Sequence, residues 1–125
     1  MVDVREAREP GAAKLDQELR RGVLVLAVLS QLRGWRYGYS LRLALADLGM
    51  SIEEGTLYPL LRRLEAQGLL ASEWRIEEGP PRRYYQLSEA GRRAYREMRT
   101  SWRELGVVMD GLLDEGDRDG PERSD

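Results

Sequence analysis

The sequence predicts a mainly α-helical fold with one small β-hairpin. Apolar residues recur every three to four positions over most of the chain, which is the period of an amphipathic helix. Between residues 70 and 87 the period changes to two, the period of a strand, and Gly79-Pro80-Pro81 provides a turn in the middle. Glycines follow three of the apolar runs, at Gly34, Gly49 and Gly68, which predicts three helices joined by short loops.

The elements follow one another as helix, helix, helix, hairpin and helix. Leu41, Leu45 and Leu48 should face inward from the second helix, and Trp74 and Tyr85 should belong to the core of the hairpin. In chain order we expect a helix at 15–34 with a connector at 35–37, a helix at 38–48, a very short strand at 50–52, a helix at 53–67, strands at 70–76 and 83–87, and a helix at 89–113 that begins after Ser88 as its N-cap.

This order is that of a winged helix-turn-helix with an added C-terminal helix. The ends of the chain mix charges with proline and glycine and show no apolar period, so we expect them to be unstructured. The predicted organisation is a flexible N-terminal arm at 1–13, a winged helix-turn-helix DNA-binding domain at 14–87, a C-terminal dimerisation helix at 88–114 and a disordered acidic tail at 115–125.

The composition argues against an enzyme. The 125 residues include no Cys and no His, which excludes disulfides, thiolate zinc sites and histidine bases, and no Asp/Glu cluster has the spacing of metal ligands. We therefore expect no catalytic residue, no metal site and no cofactor. An apolar run of 18 residues and a signal peptide are both missing, so the predicted location is the cytoplasm, without membrane attachment.

The net charge of −2 hides an asymmetry along the chain. Residues 1–103 carry 18 basic and 14 acidic side chains, whereas residues 104–125 carry 2 basic and 8 acidic side chains. The body of the protein is basic and its C-terminal end is acidic, and a basic body is compatible with a nucleic-acid partner.

The stretch at 53–70 combines a narrow apolar face with an exposed basic and hydroxyl face. The leucines that share the apolar face, at the spacing i, i+3, i+4 and i+7, are Leu57, Leu60, Leu61 and Leu64. At 100° per residue, Thr56, Pro59, Arg62 and Arg63 point away from the leucines, and Tyr58 lies at the boundary. One side of this helix would pack on the domain and the other would face a polyanion; an ordinary solvated surface helix is the alternative.

Three motifs together resemble the PadR family of bacterial transcriptional regulators. They are Gly38-Tyr39 at the start of the second helix, GTLYPLLRRLEAQGLL at 55–70 and RRYYQLSEAGR at 82–92, within a resemblance that covers roughly 15–110. The resemblance implies a homodimeric winged-helix repressor of a neighbouring operon that binds a pseudo-palindromic operator in double-stranded DNA. The third helix would enter the major groove, the wing would touch the backbone, and the last helix would build the dimer. One departure is Glu53, where family members commonly carry Ser or Asn as helix cap.

Seven residues are candidates for contacting DNA. Arg62 points most directly outward and is preferred for groove contact, because arginine binds guanine or phosphate. For Tyr39 and Tyr58 the alternative is packing, and for the wing arginines it is pairing with Glu77 or Glu78, or solvation, at little gain in energy. The candidates are Tyr39, Thr56, Tyr58, Arg62, Arg63, Arg82 and Arg83.

The last helix carries an apolar stripe that is broader than one helix–helix contact requires. We therefore expect it to face both its own domain and a second subunit. In some short PadR-like regulators a Trp on this helix and its mate flank a cavity for flat aromatic drugs, and the segment TSWRE around Trp102 is similar. Simple packing in the dimer core is the alternative for Trp102. The candidate effector or dimer-core residues are Tyr95, Met98, Trp102 and Leu105, and the heptad positions are Gly91, Ala94, Met98, Ser101, Leu105, Val108 and Leu112.

Two other classes of function fit the same elements. A winged helix used only for protein–protein contact would show no salt-dependent binding to DNA. A carrier for aromatic ligands would bind such compounds but no operator.

Overall fold

The computed structural model describes residues 9–119, with side-chain surroundings described up to residue 114. Within that span the fold has four α-helices and a three-stranded antiparallel sheet in the order β1-β3-β2. The elements are α1 (Pro10–Ser30), β1 (Arg36–Tyr37), α2 (Gly38–Asp47), α3 (Glu54–Ala66), β2 (Leu70–Arg75), β3 (Arg82–Leu87) and α4 (Glu89–Asp119). The predicted mainly helical fold with a hairpin wing is confirmed. Across residues 9–119, no helix has the length and apolar character needed to cross a membrane.

One hydrophobic core joins α1, α2 and α3 to the base of the hairpin. All four leucines of the apolar face of α3 are buried, as predicted, and the segment after α1 is joined to β3 by a 2.8 Å hydrogen bond from the Leu87 amide to the Leu32 carbonyl. Burial of these side chains fixes α3 on the domain and leaves its opposite face free. The core consists of Val28, Leu29, Leu32, Leu41, Leu45, Leu57, Leu60, Leu61, Leu64, Leu70, Tyr85 and Leu87.

Glycine ends two of the helices as predicted. Gly49 follows α2 with a φ of +100° and Gly68 follows α3 with a φ of +80°, conformations that glycine adopts at little cost. In both helices the second amide past the C-cap donates back five residues, at 2.7 Å after α2 and 3.0 Å after α3, which is a Schellman motif. The prediction is wrong at Gly34, because α1 already ends at Ser30 and Gly34 has no positive φ.

Both ends of the described chain are more helical than predicted. Helix α1 begins at Pro10, because proline suits the first helical position, so residues 10–13 of the predicted arm are helical. Helix α4 continues to Asp119, so residues 115–119 of the predicted tail are helical as well. A single glycine at position 116 does not stop it, since glycine inside a helix costs only about 1 kcal/mol. The remainder of the predicted arm and tail, 1–8 and 120–125, lies outside the described residues.

The third strand of the sheet is not where the sequence placed it. Residues 50–52 form no strand, whereas the predicted connector contains β1, which pairs antiparallel with β3 through Arg36 opposite Tyr85 and Tyr37 opposite Tyr84. A two-residue strand has no alternation of its own that could be detected. The pairing matters because it places Tyr37, immediately before α2, beside the wing.

Two apolar side chains predicted to be inward are exposed. Leu48 is 71% exposed because α2 ends at Asp47 and Leu48 is already its C-cap. Trp74 is 63% exposed, because it lines an open groove between the wing and α3 rather than a closed core. The prediction is confirmed for Leu41, Leu45 and Tyr85, which are all buried.

The start of α4 is fastened to the α3–β2 connection. Ser88 is its N-cap, as predicted, and the Ser88 hydroxyl accepts a 3.0 Å hydrogen bond from the Gly91 amide while it donates to the Gly68 carbonyl at 2.6 Å. The Ser88 amide also donates to the Leu69 carbonyl at 3.0 Å. A β-carbon on Gly91 would overlap that same Leu69 carbonyl group. This close approach sets the direction in which α4 leaves the domain.

We expect Gly91→Ala to destabilise the protein by about 3 kcal/mol, because the obstructing atoms belong to the backbone and cannot turn aside. Gly111→Ala in the same helix is the matched control. Nothing lies within 4 Å of a β-carbon at Gly111, so this change should raise stability by about 0.5–1 kcal/mol through helix propensity. Urea denaturation of both variants measures the two effects. Equal stability of Gly91→Ala and the wild type would contradict the close approach.

Candidate nucleic-acid interface

Helix α3 presents a polar face to solvent. Thr56, Pro59, Arg62 and Arg63 are all exposed, and Tyr58 is half-buried at the boundary, as the helical period predicts. Neither a hydrogen bond nor an ion pair occupies the side chain of Arg62 or Arg63 within the described part of the chain. These guanidinium groups are available to an external anion or base edge.

Two open grooves flank this polar face of α3. On the wing side, Tyr58 and Arg62 line a groove with Tyr39 and Arg82. On the other side, Thr56 lines a groove with the first half of α1, which contributes Gln17, Arg20 and Arg21. The polar face of α3 is therefore a ridge with arginines in both flanking grooves. A helix that enters a major groove is likewise flanked by two phosphate backbones.

Tyr58 packs on the start of α2. A β-carbon at Gly38 would overlap the Tyr58 ring, so the absence of a side chain there lets the ring approach the backbone closely. The ring of Tyr58 therefore packs against α2, which was the alternative to DNA contact. Tyr39, one residue further on, is 52% exposed, and its ring lies 6.4 Å from that of Tyr37. The exposure of Tyr39 argues against its packing alternative.

The two wing arginines lie on opposite faces of β3. Residues alternate along a strand, so Arg82 projects to the outer face, where its guanidinium lies 4.6 Å from the centre of the Tyr37 ring. The same outer face carries Arg75, 4.3 Å from the Tyr84 ring and 5.3 Å from the Trp35 ring. This layer of arginine on aromatic rings was not predicted, because it depends on β1 joining the sheet.

Arg83 projects to the inner face and is engaged by other protein groups. Its guanidinium pairs with Glu65 of α3, Nη2 to Oε1 at 2.8 Å, and donates to the Ser72 hydroxyl at 3.1 and 3.2 Å. Ser72 in turn donates to the other oxygen of Glu65. An ion pair was the alternative to DNA contact for Arg83, and Arg83 does form one. Its partner is Glu65, so the predicted partners Glu77 and Glu78 are wrong. Glu65 was missed because eighteen residues separate it from Arg83.

Tyr85 lies beside this network. Burial raises the pKa of its phenol above the ordinary value; the Arg83 guanidinium opposes that rise and the Glu65 carboxylate adds to it. The phenol is therefore neutral at physiological pH.

The N-terminus of α3 carries no side-chain cap. Glu53 is the N-cap residue and its carboxylate makes no capping hydrogen bond, in line with its expected weakness as a cap. The neighbouring Glu54 is paired with Arg42 of α2 at 2.7 Å, and the Arg42 Nε also donates to the Ile52 carbonyl at 3.3 Å. Glu53 and Glu54 both bring negative charge to the start of α3, and Arg42 offsets the charge of Glu54. Sequence reasoning did not single out Arg42.

The four effector or dimer-core candidates of α4 do not share one site. Tyr95 and Trp102 line a small cavity of ≈ 210 Å³ against Val23 and Leu26 of α1. Met98 packs against the hydrophobic core, as Tyr95 also does, but does not line that cavity. Leu105 is 60% exposed and does not line that cavity. Beyond Trp102, which is itself 53% exposed, large apolar side chains of α4 remain uncovered; they are Leu105, Val107, Val108, Met109, Leu112 and Leu113.

Three helices, of which the third exposes a polar face beside a three-stranded wing, define a winged helix-turn-helix protein. A family model described as the transcriptional regulator PadR-like family matches residues 25–97. The chain belongs to this family of transcriptional regulators, and it is a regulator rather than an enzyme. The resemblance noted from the three motifs is confirmed.

Individual relatives agree with this assignment. Transcriptional regulator Rv3488 of Mycobacterium tuberculosis is 46% identical over 69 residues, which are 55% of this chain and 64% of that protein's length. A crystal structure of a PadR family regulator from Eggerthella lenta is 50% identical, covers 84% of this chain and 94% of its own, and superposes with a TM-score of 0.75. A PadR-like regulator from Bacillus cereus is 29% identical over 77% of this chain and 96% of its own, with a TM-score of 0.70.

Proposed function

We propose that the chain is a homodimeric repressor that binds a pseudo-palindromic operator before a neighbouring operon, in the cytoplasm. The observation that carries this proposal is the polar face of α3, a ridge between two grooves with two exposed arginines that have no ion pair among the described residues. Arg62 would reach base edges, and Thr56 and Arg63 would support it from the same helix. Tyr39, Arg82 and the Tyr58 hydroxyl would meet phosphates on the wing side, because all three line that groove.

A second copy of this chain is the proposed partner for the uncovered stripe of α4. The helix is 31 residues long, about 46 Å at 1.5 Å per residue, and its large apolar side chains between Leu105 and Leu113 are exposed. Leu15 and Leu19 of α1 are also exposed, at 67% and 71%. Soluble proteins seldom leave so long an apolar stripe in water, and a self-complementary stripe favours a two-fold dimer. In such a dimer the two copies of α3 would reach successive major grooves.

A planar aromatic effector is the proposed regulator of this dimer. The cavity beside Trp102 is smaller than the 300–1,000 Å³ typical of small-molecule sites, and the exposed Trp102 ring stands at its edge. A second copy would enlarge and close it, with the two indole rings able to stack on a flat, often cationic compound. Binding there would change the spacing of the recognition helices and so weaken operator binding.

A transcriptional reporter tests repression and its release. The DNA upstream of the gene for this chain is fused to a reporter in a heterologous bacterium, with and without the protein. We expect expression to fall when the protein is present and to recover when a planar cationic dye is added. Trp102→Ala should repress but lose the response to the dye. Increased expression would indicate an activator, and an unchanged reporter would contradict regulation from this DNA.

A further inference from the structure

The hairpin wing is fixed to α3 by a three-residue network. Arg83 of β3, Ser72 of β2 and Glu65 in the last turn of α3 contact one another in a closed ring of hydrogen bonds. Each member comes from a different element. The network is therefore a hydrogen-bonded connection between both wing strands and the recognition helix, in addition to the shared hydrophobic core, and Arg83 lines the same groove as Arg62 and Arg82.

We propose that Arg83 and Glu65 are positioning residues that hold the wing at its DNA-binding angle, and that Arg82 alone carries the phosphate contact of the wing. This inference rests on the proposed DNA binding. The alternation of β3 supports it, since Arg82 is exposed on the outer face while the donors of Arg83 are directed at Glu65 and Ser72. A carboxylate so near a DNA-binding surface repels phosphates, so its presence calls for a compensating role.

The network is expected to act before DNA binds rather than in the complex. A wing already held in place does not have to be ordered on binding, and preorganisation of this kind strengthens affinity without adding contacts. The side chains of Arg83 and Glu65 are 36% and 28% exposed. A pair as exposed as this contributes little to global stability, so breaking it should shift the melting temperature by less than about 5 °C.

The decisive variant is Glu65→Gln, for which the two possible roles predict opposite signs. If Arg83 binds phosphate, removing the carboxylate frees Arg83 and DNA binding tightens. If the network positions the wing, binding of a duplex from the upstream intergenic DNA weakens about three- to tenfold. The salt dependence should stay unchanged, because the complex keeps all its phosphate contacts. Arg83→Gln should behave in the same way, and the double variant should be no weaker than the weaker single variant.

Glu73→Gln is the matched control. Glu73 lies on β2 and pairs at 2.7 Å with Arg75 of the same strand, so this change removes the same charge from the wing without touching its connection to α3. It should bind DNA at least as tightly as the wild type. Glu65→Gln binding as tightly as Glu73→Gln would overturn the proposal. A salt slope reduced by about one per lost contact in Arg83→Gln would overturn it too.

Hydrogen exchange without DNA separates this inference from the proposed function. In Glu65→Gln the amides of β2 and β3 distal to Ser72 should exchange faster than in the wild type, while the core of α3 is unaffected. Unchanged exchange in the hairpin would overturn the positioning role whatever the DNA result. Wild-type protein that binds no duplex would refute the proposed function, whereas wild-type binding with an unaffected Glu65→Gln would refute only this inference.

Discussion

Arg62→Ala is expected to weaken operator binding at least tenfold and to reduce sequence preference. Arg62 is exposed at the centre of the polar face of α3, and its side chain has no ion pair to lose within residues 9–119. A bidentate arginine–guanine contact discriminates by about 1–3 kcal/mol, and a dimer loses it in both half-sites. The dissociation constant for operator and for scrambled DNA, measured by fluorescence anisotropy, gives affinity and preference together.

Arg96→Ala is the control for this variant. Arg96 is exposed on α4 and lines neither groove beside α3, so the change removes the same charge from a different element. It should leave operator preference unchanged. Equal losses of operator affinity in the two variants would mean that net charge, not a contact, is responsible.

For Tyr58 the informative variant is Tyr58→Phe, because its ring packs at Gly38 and Tyr58→Ala would disturb that packing as well.

Leu112→Glu is expected to convert a dimer into a monomer and to reduce operator affinity on the order of a hundredfold. Leu112 lies in the uncovered apolar stripe of α4, and a two-fold interface would bury the new carboxylate twice. An unpaired buried charge costs several kcal/mol, which raises the dimer dissociation constant at least about a hundredfold. A monomer then binds each half-site without the gain from linking two. Analytical ultracentrifugation measures the first effect.

Val107→Glu provides the comparison on the same helix. Val107 is 75% exposed and, at 100° per residue, lies about 140° around α4 from Leu112, outside the heptad stripe of Leu105, Val108 and Leu112. The same kind of change should leave the dimer intact there. A wild-type chain that sediments as a monomer at micromolar concentration would remove the proposed dimer, and dissociation by Val107→Glu alone would place the interface on the other face.

The sequence was sufficient for the elements whose signals are local. The leucine period of α3, the glycines after α2 and α3, and the Ser88 cap each depend on a few neighbouring residues, and the structure has all of them. Thr56, Arg62 and Arg63 could be assigned to the exposed face for the same reason.

The other features could not be predicted from the sequence, because they depend on contacts between distant parts of the chain. The strand β1 has two residues and exists only through its pairing with β3. Arg82 and Arg83 are neighbours of the same type, and only the partners across the fold, Tyr37 for one and Glu65 for the other, distinguish them. The exposure of Trp74 likewise depends on the open groove between the wing and α3.

The central claim, specific operator binding, is tested most directly by titrating the purified protein against the DNA upstream of its own gene. A scrambled duplex of equal length and composition is titrated beside it, at low and at physiological salt. We expect preference for the upstream DNA, two chains bound per operator, and affinity that falls linearly with the logarithm of salt concentration. Equal weak binding to both duplexes, or no binding at low salt, would contradict the claim.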